Sequence, residues 1–595
     1  MIIIKNGALV TPQGLRRADL AMEGDKIVRI AAAIEPAEGD TVEDAAGCWV
    51  FPGFIDGHTH MQCWTGMDWT ADSFETGTRA AVCGGTTTIV DYATADRGVT
   101  MPDALAEWHR RADGPARPTT PFIWHSPSGT SATAPTFGHA RGGRIVVKTY
   151  FAYDHLRLDD AETLEVLEEL KYIGGILCVH CENGTLVNEL QKRVFEQGIH
   201  GPEGHALSRP DVCEAEAVSR LLYLAHLAGD APVNVVHLST KLGLEAIRAA
   251  KARGQKNIYV ETCPQYLMLD DTCYLEQGED GFAGAKYVMS RRCAMRATVR
   301  HCASACGRRD RYDRTDHCSF NLHGQKDRGR DDFRAIPNGG PGVEHRPVAI
   351  ATSFEGQLGP EDLCRLMSEN PARLWHVSAQ GMSCRGSDAD VCVWDPKARW
   401  TISAATQHQA VDYTPLEGFE AHGRAKAVFV NGVLAACDGE PTGAQPGRYV
   451  PATGRPPGHF GTGSLATLAC LMIFSQHGVA KRAPSQISYP LEAGGDEGAA
   501  EGCLKRSAIV GSLSVSTWLS MTRAVLSSIT RISALSTCAT RSGVAMSVSS
   551  QPQRSQKSSG RWTASWMGLP SPEAPTIRRC WPCQRESPAP RRRGL

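Results

Sequence analysis

Gly53-Phe54-Ile55-Asp56-Gly57-His58-Thr59-His60, preceded by the apolar run Cys48-Trp49-Val50-Phe51, sets the reading of the whole chain. Side chains alternate along an extended segment, so two histidines one residue apart share a face and can offer two imidazoles to one metal ion. Alone, a His-X-His pair is more often an ordinary surface turn. Three more residues share its setting, each closing its own short apolar run. They are Lys148 after Ile145-Val146-Val147, His180 after Ile176-Leu177-Cys178-Val179, and His237 after Val233-Asn234-Val235-Val236. A titratable group at the end of each of several strands is the pattern of a site built at one end of a parallel sheet.

The segments around these runs support that expectation. Gly85-Thr86-Thr87-Thr88-Ile89-Val90-Asp91 reads as a strand and Asp159 to Lys171 as a helix, with Leu164, Val166, Leu167 and Leu170 at helical spacing. Glu214 to Leu227 reads as a helix leading to the strand Val233 to His237, and Leu244 to Lys251 as one leading to Ile258 to Thr262. This β-α-β-α order predicts an α/β protein with a (β/α)8 TIM-like barrel over residues 53–385. Both ends of the core chain read instead as short strands and turns, including Ile2-Ile3-Ile4, Ile27 to Ile30, Asp390 to Asp395 and Ala427 to Leu434. Residues 1–52 and 386–457 are therefore expected to build one small β-sandwich domain together.

The net charge of −1 over 595 residues hides an asymmetry. Residues 458–595 carry sixteen Lys and Arg against six Asp and Glu, leaving forty-seven against fifty-eight in residues 1–457. This Ser- and Arg-rich tail shows no sustained periodicity and is read as a low-complexity segment, disordered or frame-shifted. Its closing Arg591-Arg592-Arg593 lacks any nucleic-acid-binding module, so no nucleic-acid partner is expected. Met1-Ile2-Ile3-Ile4 is broken at once by Lys5-Asn6-Gly7, and the tail run Leu465 to Phe474 falls short of the about 20 residues of a membrane span. The twenty-one cysteines form no spaced framework. A cytoplasmic chain with reduced thiols and no membrane partner is the expectation.

Many segments carry a family likeness: PGFIDGHTH, GGTTTIVD, VKTYFAYD, VHCENG, HALSRP, EAEA, VVHLST, ETCPQYL, GAKYVMS, TDHCSF and DDFRAIPNGGPGVEHR. Together they closely resemble the dihydropyrimidinase and D-hydantoinase family of the amidohydrolase superfamily. The resemblance implies a metal-dependent hydrolase that opens the cyclic amide of dihydropyrimidines or hydantoins by attack of a bridging hydroxide. It makes His58 and His60 ligands of the more buried of two zinc ions and His180 and His237 ligands of the second. It also explains Lys148, a poor ligand as a bare cation, as a carboxylated bridge between the two metals. Asp316 becomes both ligand and general base, Tyr153 the hydrogen-bond donor to the developing oxyanion, and Ser290 and Asn338 the holders of the substrate's amide edge. A small cyclic amide as substrate and a homotetramer follow from the same likeness.

Plainer readings stand beside these. A lone His237 is more often a core histidine, a lone Lys148 a snorkelling strand-end lysine, and Tyr153, Ser290 and Asn338 have ordinary packing or turn explanations. Arg209, Glu214 and Glu216 are read as charges opening a helix and are left outside the site. Cys178-Val179-His180-Cys181 spells a CxxC, but no second pair with zinc-finger spacing follows. Among related hydrolases, dihydroorotase usually has an arginine where this chain has Gln62, while allantoinase and a non-catalytic scaffold of the same fold remain alternatives.

The likeness breaks in two internal places. Residues 117–144 are rich in Pro, Thr, Ser and Gly with no helical period, which puts the third barrel strand and its helix in doubt. Arg291 to Thr315 holds eight Arg and three Cys with no apolar run before Asp316, where the last strand is due. Both breaks, along with Trp375 to Cys384 and everything after about Gly458, have the character of shifted coding frames, and on this reading Asp316 is left without a strand to position it.

Overall fold

The computed structural model describes residues 1–94, 98–113, 122–125 (backbone), 146–291, 293, 311–377 and 380–450. Eight of its strands form one sheet in chain order: β1 (Phe54–Thr59), β2 (Thr86–Ala93), β3 (Phe122–His125), β4 (Val146–Tyr150), β5 (Ile176–His180), β6 (Val233–Val235), β7 (Ile258–Thr262) and β8 (Arg311–Asp313). Every neighbouring pair is parallel. The two edge strands also approach each other just beyond their ends, where Thr59 and His317 form a parallel bridge and the His60 N–H donates to the His317 carbonyl at 2.8 Å.

β1 and β5 are buried along their whole length, as strands covered on both faces must be. The covering helices begin and end on their own chemistry. Asp159 caps Asp160–Ile173 by accepting the Glu162 N–H, Glu162 returns the bond, and Gly174 closes the helix in a left-handed conformation at φ 78°. Thr240 caps Lys241–Ala252 in the same way. Val166, Leu167 and Leu170 from the first of these helices, Leu221 and Leu222 from Asp211–Leu227, and Ile247 pack against Val147, Leu177, Val179, Val233 and Val260 of the strands. That apolar layer holds the strand ends in register.

Two sequence expectations are corrected. A third strand is present at Phe122–His125, paired to β2 through Phe122 and Asp91 and to β4 through Trp124 and Val147. The Pro- and Thr-rich context hid a run of four residues that pairing on both sides makes sufficient. The last strand is also present at Arg311–Asp313, with Asp313 beside Thr262 of β7. It is not an apolar run, and its Asp313 is buried against partners from elsewhere in the chain. The Arg346 guanidinium donates to the Asp313 carbonyl at 3.0 Å and lies 4.0 Å from its carboxylate. Arg314, just after the strand, lies 3.6 Å from Glu261 and covers the Trp375 ring at 4.7 Å. The segments 126–145 and 294–310, and the whole tail with Cys580, Cys583 and Arg591 to Arg593, lie outside the described residues.

Strands from both chain ends pair in a seven-stranded sheet, where Trp49–Pro52 lies between Ala8–Thr11 and Val391–Thr401. A four-stranded sheet from the first forty-four residues faces it, with Ile4, Leu20, Met22 and Ile27 packed on Val50, Val391, Val393 and Phe429. Among the described residues no helix is long and apolar enough to cross a membrane, and all fourteen described cysteines are free, Cys178 and Cys181 among them.

Candidate metal site

β1 ends on His58 and Thr59, with His60 beyond, and the alternation turns both imidazoles toward Asp316. His58 Nε2 lies 3.2 Å from Asp316 Oδ1, and His60 Nε2 3.5 Å from the same oxygen. One ligand atom from each of the three residues falls within 4.8 Å of the others. Burial raises the Asp316 carboxyl, but His58 and His60 outweigh it and hold it down at about 2. Burial drives His58 well below the ordinary histidine range, while at His60 burial is overcome by the bond to Asp316, which holds the ring up at about 9.

The chain aims these groups deliberately. His58 Nδ1 is 2.5 Å from Glu261 Oε1, so the imidazole donates there and its Nε2 is left as the free donor atom. Asp316 sits in a left-handed conformation at φ 53° between two anchored neighbours. Thr315 donates its hydroxyl to Asp56 at 2.6 Å, and His317 Nε2 pairs with Asp72 at 3.0 Å. Asp91 fixes the other flank by accepting from Thr59 Oγ1, the Met61 N–H and Trp108 Nε1, each at 2.8 Å.

The remaining predicted residues continue from this trio. Lys148, at the middle of β4, brings Nζ to 3.3 Å from His58 Nε2 and is pushed below the ordinary lysine range by burial. His237 sits in a left-handed turn at φ 39°, two residues beyond β6 rather than on its end as the sequence pattern implies. Its Nε2 is 3.1 Å from His180 Nδ1, and the His58 and His237 rings are 5.6 Å apart. Tyr153, left-handed at φ 65°, places its ring 5.1 Å from that of His180, and burial keeps its phenol protonated. Ser290 and Asn338 lie on two segments that are tied together, since the Gly339 N–H donates to the Val288 carbonyl at 3.2 Å.

The same two segments share a buried lysine that sequence patterning passes over. Lys326 Nζ donates to the carbonyls of Val288 at 2.8 Å and Pro337 at 2.9 Å. Burial pushes its pKa down to about 7, against about 10.4 in the unfolded chain. Between these values the unfolded state binds more protons, so Lys326 makes stability rise with pH from about 7 to about 10.4. Urea titrations of wild type and Lys326→Met across this range are expected to diverge, with the stability difference growing in favour of the wild type as pH rises. A pH-independent difference would contradict the assignment.

Glu261 opens the ETCPQYL segment but was given no site role, although a carboxylate in the apolar run Ile258–Thr262 repeats the strand-end pattern of Lys148 and His180. Arg291 belongs to the segment whose composition looked foreign, yet its side chain is buried and Nε donates to His237 Nδ1 at 3.1 Å. Arg209 and Glu214, left out of the site by sequence, are buried beside it. Glu182 lies 3.5 Å from Arg209 and 3.4 Å from His180 Nε2, while Glu214 accepts from the Ser239 and Thr240 N–H groups at 2.9 and 2.7 Å.

Two metal positions can be tested against these contacts. At His58, His60 and Asp316 the donor set fits a divalent ion, with two imidazoles, a carboxylate and a second carboxylate behind the first histidine. At His180 and His237 two nitrogens converge, but a guanidinium rather than a carboxylate stands behind His237.

Imidazoles and a carboxylate converging at the C-terminal ends of parallel strands fit the class of metal-dependent hydrolases built on a parallel α/β sheet. Comparison with known proteins narrows this. No protein-family model matches the chain. The D-hydantoinase of Ralstonia pickettii is 38% identical over 455 residues, covering 74% of this chain and 96% of its own length. The D-hydantoinase of Rhizobium radiobacter is 37% identical over 457 residues, covering 74% and 96%. The solved dihydropyrimidinase from Brevibacillus agri superposes with a TM-score of 0.73 at 36% identity, covering 76% of this chain and 99% of its own. The chain belongs to the D-hydantoinase and dihydropyrimidinase family.

Proposed function

We propose that the chain hydrolyses the cyclic amide bond of dihydropyrimidines or hydantoins. The observation that carries this is the convergence of His58, His60 and Asp316 within 4.8 Å, with Glu261 fixing the donor nitrogen of His58. We further propose that the eight parallel strands close as a (β/α)8 barrel over 53–385, beside a β-sandwich formed by 1–52 and 386–457. The bridge between Thr59 and His317 supports closure.

A divalent metal, zinc by resemblance, held by His58, His60 and Asp316 would polarise the ring carbonyl and acidify a water. The chain's own groups supply the rest. Asp316, ionised throughout the neutral range, takes a proton from the attacking water and returns it to the ring nitrogen as the C–N bond breaks. Water oxygen ends on the former carbonyl carbon as a carboxylate, and the nitrogen leaves as part of a ureide. Tyr153, protonated and beside His180, donates a hydrogen bond to the carbonyl oxygen as charge builds on it. Ser290 and Asn338 hold the amide edge on segments clamped by Lys326. Carboxylated Lys148 is the anion the resemblance supplies, and its place beside His58 Nε2 supports that role. The homotetramer implied by resemblance has support in the exposed Tyr223 and Leu227 on one face of Asp211–Leu227.

Purified protein, assayed for bound metal and for ring opening of dihydrouracil and hydantoin, is expected to contain zinc and turn over at least one of the two. Folded, metal-loaded protein inert toward both would refute the proposal.

A further inference from the structure

We propose that Arg291 makes this site mononuclear: one divalent ion at His58, His60 and Asp316, and none at His180 and His237. The inference rests on the metal-site reading above and concerns the second position alone.

Arginine has only donors, so in the bond from Arg291 Nε the His237 Nδ1 must be the acceptor. A neutral imidazole whose Nδ1 carries the lone pair carries its proton on Nε2. That nitrogen is the one facing His180 Nδ1 at 3.1 Å, so His237 donates and His180 accepts. The proton of His180 then sits on Nε2, which faces the Glu182 carboxylate at 3.4 Å, with Arg209 behind that carboxylate at 3.5 Å. The two nitrogens that converge as if to share an ion are a donor and its acceptor, joined by a hydrogen. Neither has a lone pair free for a metal.

His58 shows the opposite wiring. Its far nitrogen meets the Glu261 carboxylate, which draws the proton to Nδ1 and leaves the lone pair on Nε2, where Lys148 Nζ stands at 3.3 Å. A carboxylate at Nδ1 leaves the Nε2 lone pair of His58 for a metal, whereas a guanidinium at Nδ1 puts the proton of His237 on the Nε2 that faces His180.

Charge adds to this. Arg291 is buried, and among the described residues its Nη1 and Nη2 have no hydrogen-bond partner. The nearest carboxylate, Glu214, stands 3.9 Å from Nη1 and is already engaged by the Ser239 and Thr240 N–H groups. A dication held by His237 would sit one imidazole ring away from an incompletely balanced guanidinium, where weak screening makes repulsion large. His237 cannot readily turn away, because its own N–H donates to Glu261 Oε1 at 3.2 Å and the next N–H to the Glu261 carbonyl at 2.8 Å.

The test is metal stoichiometry on the full chain. Elemental analysis after expression in zinc, and calorimetric titration of the metal-free chain with cobalt, are expected to give one ion per chain for the wild type. Arg291→Ala and Arg291→Gln, checked for folding by circular dichroism, are expected to bind two. Two ions in the wild type would overturn the proposal while leaving the hydrolase assignment standing, and so would folded variants that still bind one. No ion in any of the proteins would instead remove the metal site on which both rest.

Discussion

Asp316→Asn is expected to lower kcat for ring opening by about a thousandfold, which corresponds to about 4 kcal/mol of transition-state stabilisation. The substitution keeps the shape of the side chain and changes what it can do. A carboxamide cannot take a proton from water, nor balance the charge of a metal as a carboxylate does. The left-handed backbone at this position tolerates asparagine better than most residues, so the fold should survive. Steady-state kinetics with metal content measured on the same samples separates the two losses. If turnover per bound metal falls by less than tenfold, Asp316 is a ligand and some other group moves the proton.

Glu261→Gln is the second large effect, and it falls on metal affinity. The amide still fits between His58 and Arg314 but no longer pulls the imidazole proton to Nδ1 as strongly, and it leaves the Arg314 guanidinium without its buried counter-charge. Apparent affinity for the ion at His58, His60 and Asp316 should weaken by about 10–100-fold. At saturating metal, kcat should recover to within a few-fold of the wild type. Competition against a chromophoric chelator reads this directly, and unchanged affinity would show that Glu261 serves only the fold.

These two residues mark what the sequence could and could not disclose. The strands at Ile176 to His180 and Ile258 to Thr262 and the helix near Asp159 to Lys171 were legible because apolar periodicity and capping are local properties. The histidines were legible because they repeat one position relative to those strands. Glu261 occupies the same position and opens the ETCPQYL segment, yet neither names its partner. Its meaning arises only when β1 and β7, two hundred residues apart in the chain, converge on His58. The left-handed turns at Tyr153, His237 and Asp316 were equally hidden, since none of these residue types announces a positive φ. The last strand was missed for another reason. Its Asp313 is placed by Arg346, a partner distant in sequence, whereas pattern reading looks for apolar residues within the run itself.

That short strand has a consequence for how the protein can change. Arg311–Asp313 is only three residues long, and the contacts that place Asp316 lie almost wholly at or after it: Asp313 with Arg346, Arg314 with Glu261 and Trp375, Thr315 with Asp56, and His317 with Asp72. Asp316 is therefore moored through its own neighbours in the chain. Its place depends on Asp56, Asp72 and Glu261, residues far upstream that meet those neighbours only once the chain has folded, so a change at any of the three reaches Asp316 without touching it.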